Sequence, residues 1–490
     1  MTSMDSNVLI ILDDREFTGD AIAPVVGSRR FGDIVLKRQP LIEHFLASMP
    51  AWAKDRLVHL RTEHDLNGLK AALEASPPGI GVCIIAARSG FTQPERLTQL
   101  VERLPYAAED FTDRIFKPLI VFLRNGHQLI KWWQEFKDGP VHLWHHDWLH
   151  SQRLQSTLPL DLSDIGDFLS FTRGATATRH FNRVTIDNYY YTKISSDRRK
   201  MRAEYSFYGL VPESMRPWLI QPFAFEEDEQ QASYKMMRYY LADAALQWVH
   251  GAFSESAFRS FVERLLFFVS ERPRRGCRVE ESLAVADELF KGKVANRVDQ
   301  LSSMEEGRRI NAIASSTSPG MDVRYLFERY TRIYDKHRKR FASDYLAVGH
   351  GDPCFSNILY EQQRHLLKLI DPKGALTEEE LWTHPIYDLC KISHSALGDY
   401  DFINNGMYSV TFSDANDLVL VLKHTNQALQ KPIFLEQVAS HGHDPLAMRI
   451  GEASLFISML PLHIDYPNKV IAFMLRAKQI LDEIENEHVD

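Results

Sequence analysis

The sequence predicts a mixed α and β chain in three stretches. A small α/β domain over residues 1–150 precedes a unit with a β-rich part over 151–240 and a large helical part over 241–490. Three observations carry that expectation. Short apolar runs alternate with amphipathic helical stretches through the first 150 residues, as in α/β domains. The texture then breaks between residues 137 and 170. Beyond the break, strand–turn–strand patterning gives way to long helical periodicity. At 490 residues the chain also exceeds what one core ordinarily holds.

In the front domain Val8–Leu12 reads as a buried strand ending at Asp13-Asp14. Leu41–Leu46 opens a helix, Leu57–Leu60 is a strand, and Leu66–Glu74 is a helix despite Gly68. Pro77-Pro78-Gly79 breaks the chain before a second buried strand, Gly81–Ala87, which Arg88-Ser89-Gly90 closes. From Gln93 a helix puts Leu97, Leu100, Val101 and Leu104 on one face, and Leu119–Leu123 after Pro118 is a further strand. Strands alternating with helices point to a small parallel sheet, a Rossmann-like domain. Asp138-Gly139-Pro140, a His- and Trp-rich stretch and the polar Asp161–Asp167 read as a connection between domains. Arg173–His180, Asn182–Ile186 and Asn188–Ile194 then read as strands. Helices dominate 234–345, Asn357–Tyr360 and His365–Ile370 form a hairpin, and the remainder is largely helical. The β-rich and helical parts read as one bilobal unit.

Apolar residues at 44% and charged residues at 25% exclude a wholly disordered, collagen-like or fibrous chain. Val8–Leu12 and Leu119–Leu123 fall far short of the roughly 18 apolar residues that span a bilayer. The first ten residues show no secretory pattern, so a soluble cytoplasmic protein without a membrane span is expected. A net charge of −8 argues against a nucleic-acid partner. The basic clusters Arg198–Lys200, Arg272–Arg275 and Lys336–Arg340 read as solvated helix ends or loops. Cys83, Cys277, Cys354 and Cys390 form no C-x-x-C pair and read as reduced thiols.

The chemistry concentrates in His350-Gly351-Asp352-Pro353-Cys354-Phe355-Ser356-Asn357, followed by an apolar strand and Asp371-Pro372-Lys373-Gly374. An Asp opening a tight loop can accept a proton from a hydroxyl. An Asn five residues on can offer an amide oxygen to Mg²⁺, and the hairpin returns the chain so that Asp371 supplies a charged oxygen to the same metal. Phosphoryl transfer from ATP needs these parts. Two carboxylates can also serve glycoside hydrolysis, but an amide between them and a strand running into the second fit a kinase-type site better.

This segment resembles the H-G-D-x-x-x-x-N … I-D motif of the aminoglycoside phosphotransferase and choline kinase family. The resemblance implies an α+β, protein-kinase-like bilobal fold with a small β-rich lobe and a large helical lobe. It implies Asp352 as catalytic base, and Asn357 and Asp371 as Mg²⁺ ligands. Pro385-Ile386-Tyr387-Asp388-Leu389 is similar to the family's P-x-x-D-L stretch, in which Asp388 braces the catalytic loop without touching substrate; His350 would lie beside it. Asp371-Pro372-Lys373-Gly374 departs from the aromatic residue common after the Asp, and so resembles a bacterial subgroup found in capsule and surface-polysaccharide loci.

Such a kinase needs a lysine for the ATP phosphates and a glutamate to orient it. Lys193, closing the run Tyr189–Thr192, and Glu204, eleven positions on, are the candidates. Gly174 in Arg173–Thr178 would lie in the phosphate-covering turn, and Met237 in Tyr234–Tyr240 at an adenine-binding hinge.

Other stretches read less specifically. Trp144-His145-His146-Asp147-Trp148, with His142 and His150, has metal-ligand chemistry without a second cluster. His394 and Asp399-Tyr400-Asp401 resemble the acceptor-pocket wall of the capsule-locus subgroup, against a reading as helix packing and a polar turn. Gly27-Ser28-Arg29-Arg30 and Lys37–His44 resemble a motif of sugar nucleotidyltransferases, but Asp13-Asp14-Arg15-Glu16 would repel a triphosphate, so the resemblance implies a degenerate domain. The expected function is ATP- and Mg²⁺-dependent phosphorylation of a hydroxyl on a sugar, polyol or amino alcohol. The alternatives are a nucleotide-binding pseudokinase scaffold and a bifunctional kinase and nucleotidyltransferase.

Overall fold

Val8–Asp13 (β1) buries all six of its residues, as a strand covered on both faces must. Leu41–Ser48 (α1) follows, then the strand Leu57–Leu60 (β2) and the helix Asp65–Glu74 (α2). Gly81–Ala86 (β3), equally buried, leads into the helix Pro94–Arg103 (α3). The strands Phe111–Thr112 (β4), Ile120–Leu123 (β5) and Gln152–Arg153 (β6) complete a six-stranded sheet of order β2-β1-β3-β5-β4-β6. The computed structural model describes residues 7–135, 152–153, 159–173, 182–187, 189–318, 320–424 and 426–486. Leu66, Leu69 and Leu73 of α2 pack on Leu9, Ile11, Val82 and Ile84.

The sheet is mixed, not the parallel sheet that the sequence pattern suggests. β2, β1 and β3 run parallel, but β5 runs antiparallel to both β3 and β4. The reason is local. Asp113 accepts hydrogen bonds from the backbone N–H groups of Leu119 and Ile120, at 2.8 and 2.9 Å. That turn folds β5 back on β4 and seats it beside β3.

Two compact units divide the chain, residues 1–176 and 177–490. The stretch 159–173 therefore belongs to the front unit and not, as the sequence suggests, to the β-rich part. Leu160–Asp161 pairs with Ser89–Gly90, and the buried Arg88 reaches Asp161 at 3.1 Å and Glu16 at 2.8 Å. The helix Ile165–Arg173 runs up to the expected strand Arg173–His180, of which residues 174–180 lie outside the described residues. The His- and Trp-rich cluster around 144–148, with His142 and His150, lies outside the described residues.

The second unit opens with a four-stranded antiparallel sheet. Asn182–Ile186 (β7), Tyr190–Ser195 (β8), Pro222–Glu227 (β9) and Ala232–Met237 (β10) take the order β7-β8-β10-β9. Between β8 and β9 runs the helix Arg198–Leu210 (α4), capped where Asp197 accepts from the Lys200 N–H at 3.0 Å. Met201 of α4 packs with Tyr234 and Met236 of β10 and with Leu359 from the helical part.

Helices then dominate, among them Glu255–Glu271 (α5), Val323–His337 (α6), Tyr387–Ala396 (α7), Pro445–Met459 (α8) and Pro467–Asn486 (α9). α8 is buried nearly all round, from Ala447 to Met459, which makes it the central helix. The hairpin Ile358–Glu361 and Leu366–Leu369 lies within one residue of its expected bounds. A second hairpin, Tyr408–Phe412 with Leu418–Leu422, interrupts a tail whose sequence reads as helical. Among the described residues no helix is long and apolar enough to cross a membrane. All four cysteines are free.

Two buried acids in the helical part respond oppositely to pH. Asp399 is ringed by His424, Lys431 and Arg476 at 2.8, 2.7 and 3.4 Å. Burial alone would raise its pKa, but these cations overcome burial and hold it at about 2. Asp401 has no such ring; burial, helped by the charges of Asp243 and Asp399, raises it to about 7. A depressed carboxylate stabilises the fold above its unfolded pKa near 3.9, and that contribution disappears as pH falls towards 2. A raised one weakens the fold as pH climbs from about 4 through 7. Asp399→Asn should therefore cost about 2 kcal/mol at pH 7 and little at pH 2. Asp401→Asn should gain in Tm over wild type between pH 5 and 8. Thermal denaturation from pH 2 to pH 8 checks both signs.

Candidate active site

The site forms where β8, α4 and the end of the second hairpin strand meet. Lys193 sits on β8 with its ammonium buried, and its Nζ lies 2.7 Å from Glu204 Oε2 and 3.1 Å from Asp371 Oδ1. Glu204 also accepts from the Tyr234 hydroxyl at 2.9 Å, with Lys200 at 3.6 Å one helical turn away. Burial by itself would lower the Lys193 pKa. The charges of Asp371 and Glu204 outweigh it, and the ammonium is held above its ordinary value.

Strand pairing explains the set. Lys193 and Tyr234 are directly opposed across β8 and β10, so both point to one face. Met236 shares that face and, with Glu204, Tyr234, Ile370 and Asp371, lines a narrow cleft. Met237 falls on the other face by the period of two and is 52% exposed. The structure does not bring it to Lys193. Gly174 and the rest of 174–181 lie outside the described residues.

Asp371 adopts a left-handed backbone, φ 54°, unusual for a residue before proline. Its neighbours hold it there. The Ile370 N–H donates to the Asn357 carbonyl at 3.0 Å and the Lys373 N–H to the His350 carbonyl at 2.9 Å. Gly374, at φ 86°, lies so near α4 that a Cβ would come within 2.7 Å of the Ala203 and Glu204 backbone. The next residue, Ala375, donates its N–H to the Ala203 carbonyl at 3.0 Å. The loop after Asp371 and the helix carrying Glu204 are thereby joined.

The loop 350–357 is held from below by α7. Asp388, fully buried, accepts from the His350 and Gly351 N–H groups at 2.9 and 2.8 Å. Arg272 at the end of α5, itself 3% exposed, donates to Asp388 at 2.8 Å. One turn along, Lys391 meets Asp352 Oδ1 at 2.9 Å. Desolvation pushes the Asp352 pKa up, but Lys391 pulls harder, and the net shift is downward. Ser395, a further turn on, accepts the Phe355 N–H at 3.0 Å. Asn357 donates its side-chain Nδ2 to the Asp352 carbonyl at 2.9 Å, which leaves its Oδ1 as the group with coordinating chemistry. His350 is fully buried and kept below its ordinary pKa by desolvation.

Sequence reasoning missed Arg272, Lys391, Tyr234 and Met236. Arg272 belongs to a basic cluster expected at the surface, and its partner stands 116 positions away, so no local pattern marks it. Lys391 had a signal: three positions after Asp388, it shares that residue's helical face. His394 is buried against Tyr400 and Phe456, ring centroids 4.3 Å from each, and is no open wall.

In the front unit, Asp14 is buried at the end of β1 and accepts from the Gly32 N–H at 2.8 Å. Asp13 pairs with Arg15 at 2.7 Å. Among the described residues no group of three or more His, Cys, Asp or Glu is arranged to hold a metal.

No family model and no curated protein matches this chain. Among solved structures, a spectinomycin phosphotransferase in complex with ADP and spectinomycin is 11% identical over 63% of this chain and 87% of its own, with a TM-score of 0.37. A thermostable mutant of an aminoglycoside phosphotransferase, in ternary complex with ADP and hygromycin B, is 10% identical over 64% and 93%, with a TM-score of 0.39. An aminoglycoside-3'-phosphotransferase of type VIII is 13% identical over 64% and 99%, with a TM-score of 0.30. At these scores the likenesses establish neither a fold nor an activity for this chain.

The Arg272–Asp388 pair is sealed from water, so removing one partner strands the other. Arg272→Met should destabilise the second unit by about 3–5 kcal/mol in urea denaturation. A loss under about 1 kcal/mol, the range of exposed pairs, would show that the pair is not desolvated.

Proposed function

We propose that this chain is an ATP- and Mg²⁺-dependent small-molecule kinase that transfers the γ-phosphoryl group to a hydroxyl of a sugar, polyol or amino alcohol. The observation that carries the reading is the meeting of Lys193 and Glu204, eleven positions apart, with Asp371, 178 positions from the lysine, beside a loop bearing Asp352 and Asn357. Burying an ammonium between two carboxylates is costly for a fold, and phosphate binding gives a use for it.

Each residue has a role in that chemistry. Lys193, oriented by Glu204, would bind the α- and β-phosphates. Asp352 would hold the acceptor hydroxyl in line and take its proton. The partly exposed Asp371 carboxylate and the Asn357 amide oxygen are hard donors suited to Mg²⁺, which commonly takes one or two protein oxygens and completes its shell with phosphates and water. When bound, the metal would neutralise charge on the phosphates. Asp388 and Arg272 keep the loop backbone fixed, so that catalysis rests on positioning. Support for a role in surface-polysaccharide synthesis comes from Asp371-Pro372-Lys373-Gly374 alone. The carboxylates after β1 speak against a second, nucleotidyltransferase activity in the front unit.

ATP consumption with Mg²⁺ against pooled sugars, polyols and amino alcohols tests the reading. Asp352→Ala should lose about 100-fold or more of acceptor-dependent turnover while keeping the Mg²⁺-dependent thermal shift with ATP. Lys193→Met should lose that shift. Near-normal transfer by Asp352→Ala removes Asp352 from the mechanism, and no ATP shift in wild type removes the kinase reading.

A further inference from the structure

Helix α7 lies along the catalytic loop and touches it turn by turn. Asp388 holds the backbone of residues 350 and 351, and Ser395 holds the backbone of 355. Between them Lys391 holds a side chain instead, the carboxylate of Asp352 at 2.9 Å. A carboxylate turns readily about its last torsion, since that rotation is broad and two-fold. An ammonium on one oxygen stops the rotation. With 42% of the Asp352 side chain exposed and Lys391 only 16% exposed, the lysine approaches from the protein side and leaves the carboxylate a face open to an acceptor.

The charges around this point also differ from those that would suit a cationic acceptor. Asp399 is 2% exposed and already answered by His424, Lys431 and Arg476. Asp401 is fully buried. Neither presents a carboxylate to an incoming ammonium. Lys391 cancels the charge of the reacting carboxylate, so the pair offers an incoming ammonium no net attraction.

Resting on the kinase reading, we infer that Lys391 is a positioning residue: by holding one oxygen of Asp352 it aims the other at the acceptor hydroxyl, and by neutralising that carboxylate it favours neutral or anionic sugars and polyols over cationic acceptors. No proton moves to or from Lys391 in this role. The bond between the acceptor oxygen and the γ-phosphorus forms, the bond to the β-bridging oxygen breaks, ADP leaves, and the hydroxyl proton goes to Asp352.

The test measures Mg²⁺–ATP turnover of the full chain with five acceptor sets: water, neutral sugars and polyols, sugar phosphates and uronic acids, amino alcohols, and polyamino sugars. Wild type, Lys391→Met, Lys391→Arg and Asp352→Ala are compared. Wild type should favour the neutral or anionic sets. Lys391→Met should lower kcat about 10- to 100-fold, with the KM for ATP changed less than about twofold. Lys391→Arg, which restores the cation, should recover most of the loss. Should the Met variant lose its ATP thermal shift through misfolding, Lys391→Gln is measured in its place. Asp352-dependent turnover that Lys391→Met or its substitute leaves unchanged overturns the inference while leaving the kinase reading intact. So does a loss that Lys391→Arg fails to recover, or a wild-type preference for polyamino sugars. No Asp352-dependent turnover with any set, water included, overturns the kinase reading and this inference with it.

Discussion

A lysine ammonium with 5% of its side chain exposed must find its counter-charges inside the protein, and Lys193 finds them on two other elements. That requirement organises the second unit. β8 must run beside β10 so that Tyr234 can share Glu204, and α4 must be capped and aligned so that Glu204 faces the sheet. The hairpin must return far enough for Asp371 to arrive. An unanswered ammonium at this depth would be strongly disfavoured. Alternative packings of α4 against the sheet are penalised by the same charge, so the pair selects an arrangement as well as stabilising it.

Helix α7 imposes the second constraint. A catalytic loop is irregular backbone, and irregular backbone under cover needs hydrogen-bond partners that the loop cannot supply itself. Asp388 and Ser395 supply them at two levels, while Arg272 neutralises the carboxylate that does so. The loop's shape is thus borrowed from a regular element. Gly351, at φ 85° with a virtual Cβ 2.6 Å from Lys373, is where the loop turns tightly enough to follow that helix.

The legibility of the sequence follows from the range of each interaction. Elements defined by local periodicity were readable: β1, β3 and the hairpin after Asn357 fall within a residue or two of their expected bounds. Residues placed by a short motif were readable too, because His350, Asp352 and Asn357 are neighbours in the chain. Lys193 and Glu204 were found by asking what phosphates require, and strand and helix bring them together. The direction of β5 was hidden because one side chain, Asp113, sets the turn before it. Arg272 was hidden because a buried arginine and a solvated one look alike until the partner is known. Met236 and Met237 were not told apart by their phase, because composition marks the stretch but only the strand decides which of two adjacent methionines faces inward.

The two partners of Lys193 differ in a way that suits a site which must accept phosphates. Glu204 is 2% exposed and held by Tyr234 as well, so its bond to the lysine is the better shielded of the two. Asp371 is 34% exposed, its contact is longer, and its strained backbone is gripped by main-chain bonds that do not involve its carboxylate. Solvent screening makes that second pair the weaker one. A phosphate entering from the open side therefore competes with Asp371 and not with Glu204. In the proposed chemistry Lys193 can turn towards phosphate without losing the glutamate that orients it, and Asp371 is released in place, its backbone already fixed. The unequal burial of two carboxylates around one ammonium is what separates the part of the site that stays from the part that exchanges.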